Sequence, residues 1–505
     1  MTSLKLNIIA NYVGNFWATL MSLAFVPVYI HFLGIEAYGL IGFFTTLIAM
    51  FALLDMGLSA TLNREIAKLS VQTESAQKTR DLVLTITTIY WLIGIVIGCI
   101  IALSASFIST HWLKSVSLNT QTIEHAIMMM AFIVLFQWMQ GIYASGLIGL
   151  QKSVFLNGVV IIVATLRGGG AVLVLWLISP TLQAFFAWQL IVTVLHTLIL
   201  ATGLWRYLPV AQSARFQFSI LKDIWRFMVG MNAITLVSLV LTQLDKIILS
   251  KILTLEAFGY YSLASMIAAS LYRAISPIAA AVFPRFNQLI TINKELELKR
   301  LYHKSSQLIA TIIFPLAIGI AFFSYEILWL WTHNQQMAEQ SYLLVSLLII
   351  GAMFNGMMNI PYMLQLAYGW TTFSFYMNFL AILVLTPALL IGVPYYGALG
   401  AAAIWLSINV GYVLVGIQFM HKRLLPTEKW QWYIYDMLIP LSTACIVTSI
   451  AKFFNYTGTS IFLQLLALIS IFSLVFFCVI MSTSYIRSDL FKILNKLRFR
   501  LLVKN

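Results

Sequence analysis

Charge is what this sequence has least of. Only 9% of its 505 residues are charged and 61% are hydrophobic, whereas soluble domains carry about a quarter charged residues. That balance excludes a water-soluble globule and indicates a polytopic membrane protein. Cysteine is almost missing. Cys99, Cys445 and Cys478 lie in apolar stretches, without the spacing of a disulfide framework or a metal site. None of the seven histidines stands at metal-ligand spacing from another His, Cys or carboxylate. The run Gly168-Gly169-Gly170 lacks the following Lys-Ser/Thr of a phosphate-cradling loop, and no nucleophile elbow occurs. Direct ATP hydrolysis and covalent catalysis are therefore not expected, nor is a cofactor. Acidic residues are scarce as well: 16 Asp and Glu against 30 Lys and Arg, a net charge of +14. In a soluble protein that excess would suggest nucleic acid. In a membrane protein it reports topology, and nucleic acid is not an expected partner.

What is present is a series of long apolar runs. A span needs about twenty mainly apolar residues. That length places fourteen helices at about 8–30, 38–62, 82–108, 125–149, 156–178, 182–204, 226–250, 257–283, 306–325, 341–365, 372–393, 397–420, 434–454 and 459–482. The first is read as an uncleaved span, because the stretch from Met1 to Leu6 leads into it without a small-residue cleavage site. An even count puts both termini on one side. The N-terminus, the C-terminal tail and the even-to-odd loops hold 24 of the 30 Lys and Arg residues, and the opposite side holds only Lys114, Lys251 and Lys452. The positive-inside rule then makes both termini cytoplasmic, and a bacterial inner membrane fits. The basic 285–304 loop and the 487–504 tail read as solvated ends anchoring to anionic lipid headgroups, the tail as a short amphipathic helix. The longest outer loops, about 109–124 and 326–340, leave no room for an external catalytic domain.

The chain also repeats itself. Leu33-Gly34-Ile35-Glu36-Ala37-Tyr38-Gly39-Leu40 returns 220 positions later as Leu253-Thr254-Leu255-Glu256-Ala257-Phe258-Gly259-Tyr260. Arg64 matches Arg285 and Asn157 matches Asn378 at 221, and Ala184 and Trp188 match Ala401 and Trp405 at 217. The offsets indicate a duplicated unit of about six spans. The expected organisation is an N-lobe (1–222), a C-lobe (223–425), and two further helices with a basic tail (426–505). Two similar halves in a membrane protein are the usual build of a carrier.

Three cations, Arg167, Lys246 and Arg273, and two acids, Asp55 and Asp245, fall inside the spans. Each costs on the order of 2.5–3.5 kcal/mol near the bilayer centre and so needs a reason to be there. Arg167 is followed by three glycines that permit close backbone approach or local unwinding. Three readings stand for it: a cation aimed at an anionic group of a substrate, one half of a buried ion pair with Asp55 or Asp245, or a side chain that snorkels to the interface. Asp55 serves equally well as a helix-packing acceptor or as a substrate or ion site. Arg64 and Arg285 mark equivalent inner ends of spans two and eight, where they would snorkel to the interface or draw phosphates. The balance is modestly cationic and suits an anion.

Asp55-Met56-Gly57-Leu58-Ser59 leading to Asn63-Arg64-Glu65, Gln243-Leu244-Asp245-Lys246, Gly259-Tyr260-Tyr261 and Pro284-Arg285-Phe286 resemble the polysaccharide-transporter branch of the multidrug/oligosaccharidyl-lipid/polysaccharide exporter superfamily. The chain looks most like a Wzx-type O-antigen flippase. That resemblance implies an all-α protein whose two six-helix lobes flank a V-shaped cavity, with two extra helices outside them. It also implies alternating access and an undecaprenyl-pyrophosphate-linked oligosaccharide substrate moved from the inner to the outer leaflet. Arg167, Lys246 and Arg273 match the family's cavity cations. Polysaccharide polymerase and chain-length machinery are implied partners besides membrane lipids. A proton or sodium ion at Asp55 or Asp245, or the membrane potential itself, would supply the energy. A multidrug exporter, a peptidoglycan lipid-precursor flippase, and a membrane-bound polymerase or ligase remain the alternatives.

Overall fold

Helix ends fall where the sequence supplies a cap, a glycine or a proline. Asn119, Thr181 and Ser460 each accept a backbone N–H of the first turn that follows. The computed structural model describes residues 2–55, 57–70, 72, 75–219, 232–454 and 460–502, and among them every regular element is helical. The expected lobe boundary at 222/223, the motif residue Met56, and the loop cations Lys222 and Arg226 lie outside the described residues.

The chain divides into two compact units, Met1–Gly259 and Tyr260–Asn505. The first contains α1 (Thr2–Ala24), α2 (Val26–Leu33), α3 (Ile35–Phe51), α4 (Leu58–Leu69), α5 (Ala76–Phe107), α6 (Thr120–Gly149), α7 (Ser153–Leu177), α8 (Leu182–Tyr207) and α9 (Asn232–Ile252). The unit boundary falls within α10 (Leu255–Thr291). At the centre of the first unit α6 packs on α4, α5 and α8, so that Ile127, Met130, Met139 and Ile142 are wholly buried. A helix apolar on nearly every side belongs in such a position.

The second unit continues with α11 (Glu295–Phe322), α12 (Ser324–Thr332), α13 (Gln335–Met357), α14 (Asn359–Ala367), α15 (Thr371–Gly411), α16 (Ile417–Leu424), α17 (Ile439–Phe453), α18 (Ile461–Ser482) and α19 (Ser484–Leu502). Here α11 is central and packs on α13, α17 and α18, burying Ala310, Ile313, Phe314 and Ala317.

The repeated corner has a direct structural use. A Cβ added at Gly39 would lie 2.1 Å from the Leu255 carbonyl oxygen, and one at Gly259 would lie 2.4 Å from that of Ile35. Ile35 and Leu255, like Gly39 and Gly259, are the same positions of the two copies. The contact is thus reciprocal, as a local two-fold relation produces, and only glycine permits it. A strap formed by 111–117 covers this corner. Glu36 accepts the amides of Val116 (2.6 Å) and Ser117 (2.8 Å) and the Ser117 hydroxyl. Trp112 Nε1 donates to Ser250 Oγ (3.0 Å), Lys114 Nζ to the Ile252 carbonyl (2.9 Å), and Leu255 N to the Lys114 carbonyl (2.8 Å). Burial alone would raise the Glu36 pKa, but the Ser117 and Ser115 hydroxyls and the two amides hold it below the ordinary glutamate value.

Several expectations need correction. The second span is not continuous over 38–62: α3 ends at Phe51, a tight turn covers Ala52–Asp55, and Gly57 takes φ 75° before α4. Only glycine enters that left-handed region without strain. The 285–304 region is not a loop. Apart from a turn at Asn293 it is helical, within α10 and α11. The 326–340 region carries α12 and is not an open loop. Spans eleven and twelve are joined at Gly397 (φ 57°) with no intervening coil. By length and composition, eleven helices among the described residues can cross a membrane, and the Thr371–Leu424 stretch is counted as one of them. Apolar length alone therefore does not reproduce fourteen. Ile35–Phe51 is short, and Asn232–Ile252, which holds Asp245, Lys246 and Lys251, falls outside the set.

Candidate functional site

The polar site of the first unit is built on α7. Three successive carbonyls of that helix accept bonds from outside it. Trp188 Nε1 donates to Leu166 O (2.9 Å), Gln189 Nε2 to Arg167 O (3.3 Å), and the Tyr29 hydroxyl to Gly168 O (3.1 Å). The glycines that follow Arg167 do not unwind the helix, which runs unbroken over Ser153–Leu177. They admit rings instead: a Cβ at Gly168 would sit 2.4 Å from Phe25, and one at Gly170 would sit 2.3 Å from Trp188. This framework fixes the backbone beneath Arg167.

Among the described residues the Arg167 side chain then makes a single hydrogen bond, from Nη2 to Thr193 Oγ1 at 3.2 Å. Thr193 is itself held from α6, where Gln140 Nε2 donates to its carbonyl (3.2 Å) and to Thr197 Oγ1 (3.3 Å). Arg167 Nε is buried without a partner, and so are both ring nitrogens of His196, one turn beyond Thr193 on α8. Among the described residues no carboxylate lies within ion-pair distance of Arg167. An unpaired charge removed from water costs several kcal/mol. Among the described residues this guanidinium has unused donors and no counter-ion, an arrangement compatible with an anionic ligand.

Of the three readings for Arg167, the ion pair with Asp55 or Asp245 is not formed. Asp55 instead accepts from Ser59 Oγ (2.7 Å), Ser59 N (3.3 Å) and the Tyr90 hydroxyl, closing the break between α3 and α4. Asp245 is buried on α9 beside half-buried Lys246, which makes no ion pair with the described residues. Arg273 stands exposed near the middle of α10, ahead of Pro277 and Pro284. Arg64 faces Glu65 at 3.6 Å, while Arg285 faces Glu297 at 3.8 Å and Gln288 at 3.0 Å. Both mouth arginines are half-exposed surface pairs, worth at most about 1 kcal/mol. Tyr29, Gln189, Thr193 and His196 escaped notice in the sequence. A rule that seeks clustered metal ligands has no means of flagging a solitary histidine or neutral polar residues on separate helices.

The second unit contributes an apolar groove of about 920 Å³ between α11, α12 and α18, lined by Leu316, Ile327, Trp331, Leu468, Phe472 and Phe476.

Comparison with known proteins follows this geometry. A family model described as "Polysaccharide biosynthesis protein" matches residues 30–335, more than half of the chain. The chain belongs to the polysaccharide biosynthesis protein family. A Shigella flexneri protein named "Putative O-antigen transporter" is 25% identical over 431 residues, covering 83% of this chain and 99% of its own. Among solved structures, the lipid II flippase MurJ in an inward closed conformation aligns with TM-score 0.64 at 14% identity, over 93% of this chain and 97% of MurJ. An inward-facing multidrug-resistance MATE transporter of the MOP superfamily aligns with TM-score 0.67 at 15% identity, over 84% of this chain and 96% of the transporter. At such identities the structural likeness is one of fold. This member of the family is a multi-pass, all-helical membrane protein with that transporter fold, and the relatives named are transporters and flippases, not enzymes.

Proposed function

We propose that the chain is a flippase that carries an undecaprenyl-pyrophosphate-linked oligosaccharide, an O-antigen or similar surface-polysaccharide repeat, from the cytoplasmic to the outer leaflet by alternating access. The observation that carries this reading is the half-buried Arg167, its Nε buried without a partner, held by Thr193 and with no carboxylate beside it among the described residues, in a member of a polysaccharide biosynthesis family. A pyrophosphate bridge is anionic on each of its phosphates and offers oxygens that suit guanidinium geometry. An organic cation, the cargo of many multidrug exporters, would meet an unpaired positive charge there. The apolar groove of the second unit suits the isoprenoid tail. Direction follows from energetics: one elementary charge crossing 100 mV is worth about 2.3 kcal/mol, so a cell negative inside favours outward movement of an anion.

The test is a cell depleted of this protein. Lipid-linked oligosaccharide should accumulate on the cytoplasmic leaflet, and vesicles holding the purified protein should expose a labelled lipid-linked sugar faster than empty ones. No accumulation, together with equal exposure in both vesicle types, would sink the reading. Orientation has its own check: reporters fused after Lys152 should read cytoplasmic and one beside Lys114 external.

A further inference from the structure

The second unit holds a buried titratable cluster that the transport reading does not use. His303 on α11, 1% exposed, stands between two carboxylates. Its Nδ1 is 2.5 Å from Asp436 Oδ2 and its Nε2 is 3.2 Å from Glu428 Oε2. Asp436, 0% exposed, sits in the wide helical turn Trp432–Leu438, and its other oxygen accepts Gln307 Nε2 at 2.9 Å. Gln307 Oε1 in turn accepts the Tyr485 amide (2.9 Å) at the head of α19. Glu428 Oε1 takes the Lys299 ammonium (3.2 Å) and the Thr427 hydroxyl (2.6 Å).

Other ionisable groups surround the cluster and have partners of their own. Tyr302 meets His421 at 3.2 Å, Lys429 donates to Gln418 (2.8 Å), and Tyr433 donates to the Val413 carbonyl (2.7 Å). On α19, Asp489 pairs with Lys304 at 2.5 Å, and Arg487 donates to the Met481 carbonyl (3.1 Å).

A neutral imidazole has one N–H and one lone pair, so it can donate to only one carboxylate. Its bare nitrogen would then confront the second carboxylate with no proton between two acceptors. Both contacts are satisfied only when the cluster holds one proton more than neutral histidine with two ionised carboxylates. We propose that His303, Asp436 and Glu428 form a proton-binding site whose proton fastens the turn Trp432–Leu438, ahead of α17, and the head of α19 to α11. With the proton bound, imidazolium answers the buried Asp436, while Lys299 is shared between Glu428 (3.2 Å) and the exposed Glu295 (2.9 Å). Without it, the fully buried aspartate has no cation against it, and the cluster opens. Glu428, with 13% of its side chain exposed, is the point of exchange with water. The inference is independent of the Arg167 reading and differs from coupling at Asp55 or Asp245.

The experiment is hydrogen exchange on the full-length protein in lipid nanodiscs across about pH 5.5–9, a window that brackets the ordinary histidine range, corrected for the intrinsic pH dependence of exchange. Segments 428–438 and 484–492 should lose protection together as pH rises, and His303→Gln should remove that transition. Flat protection in the wild type overturns the proposal, as does an unchanged transition in a folded His303→Gln protein. If that variant does not fold, Glu428→Gln at the exposed edge keeps the His303–Asp436 pair and should move the transition. A transition that stays in place in Glu428→Gln overturns the proposal as well.

Discussion

Around Arg167, among the described residues, a half-buried cation has one side-chain hydrogen bond, no acid, and a neighbouring histidine with neither nitrogen engaged. Around His303 both ring nitrogens, both oxygens of Asp436 and both ends of Gln307 are engaged. The two clusters use similar chemistry, and each draws on several helices of its unit. They differ in whether the chain satisfies its own groups. A buried polar group left open is costly unless something outside the chain fills it, whereas a closed network rigidifies the fold. On the proposed reading the open cluster receives a ligand, and the closed one a proton that the fold can hold or release.

The largest expected effect tests the open cluster. Arg167→Ala or Arg167→Gln should remove the charge-assisted contact to phosphate, a loss of about 2–5 kcal/mol in binding, and abolish surface polysaccharide at near-normal protein abundance. Arg167→Lys should keep part of the activity, because an ammonium still attracts phosphate without the two-pronged geometry. Quantifying the polysaccharide beside the protein level decides the matter. If abundance falls in step with activity, Arg167 is structural and the contrast with His303 collapses.

Asp436→Ala probes the closed cluster. Removing one partner strands a buried imidazole and Gln307, and breaking such a pair costs about 3–5 kcal/mol. Thermal unfolding in detergent should reveal the drop. A protein as stable as the wild type would show that the network contributes nothing to the fold.

A smaller effect is expected where glycine admits the rings that support Arg167. Gly168→Ala or Gly170→Ala forces Phe25 or Trp188 aside, and overpacking of this kind costs about 1–3 kcal/mol. Transport should fall further than stability, since the backbone under Arg167 shifts. Equal losses in both would mean that the glycines serve packing alone.

Glu36 gives the smallest and the most pH-specific effect. Its folded pKa is depressed, so its stabilisation is present at neutral pH and disappears as pH falls through that lowered value. Glu36→Gln keeps one acceptor oxygen, so it should cost only about 1 kcal/mol at neutral pH and flatten the acid-side loss of stability. A melting series from neutral pH downward, wild type against variant, measures it. Parallel curves would remove Glu36 from the strap.

The readable parts of this molecule are those with a local cause. The apolar runs that became α6, α7 and α8 announce themselves by length, and the repeated corner by its 220-residue offset, later seen as the reciprocal Gly39–Gly259 contact. The break at Gly57 was harder to see, because a glycine inside an apolar run is ordinary in membrane helices. What turns it into a helix end is Asp55, accepting from Ser59 and from Tyr90 on another helix. Arg167 stood out because an intramembrane charge is expensive. His196 and His303 did not, since a lone histidine in an apolar segment carries no such signal.

By itself the sequence determined the membrane class, the helical architecture, the duplicated corner and several of the embedded charges, Asp436 not among them. Each of these depends on composition, run length or spacing along the chain. Which charges are answered was decided only in three dimensions. Asp55 was a plausible partner for Arg167 until Ser59 and Tyr90 were seen to occupy it, and Asp436 lies 133 residues from the histidine it meets. An ion pair or hydrogen bond requires a few ångströms between side chains on different helices. That distance is set by how the helices pack, and no periodicity in the chain encodes it.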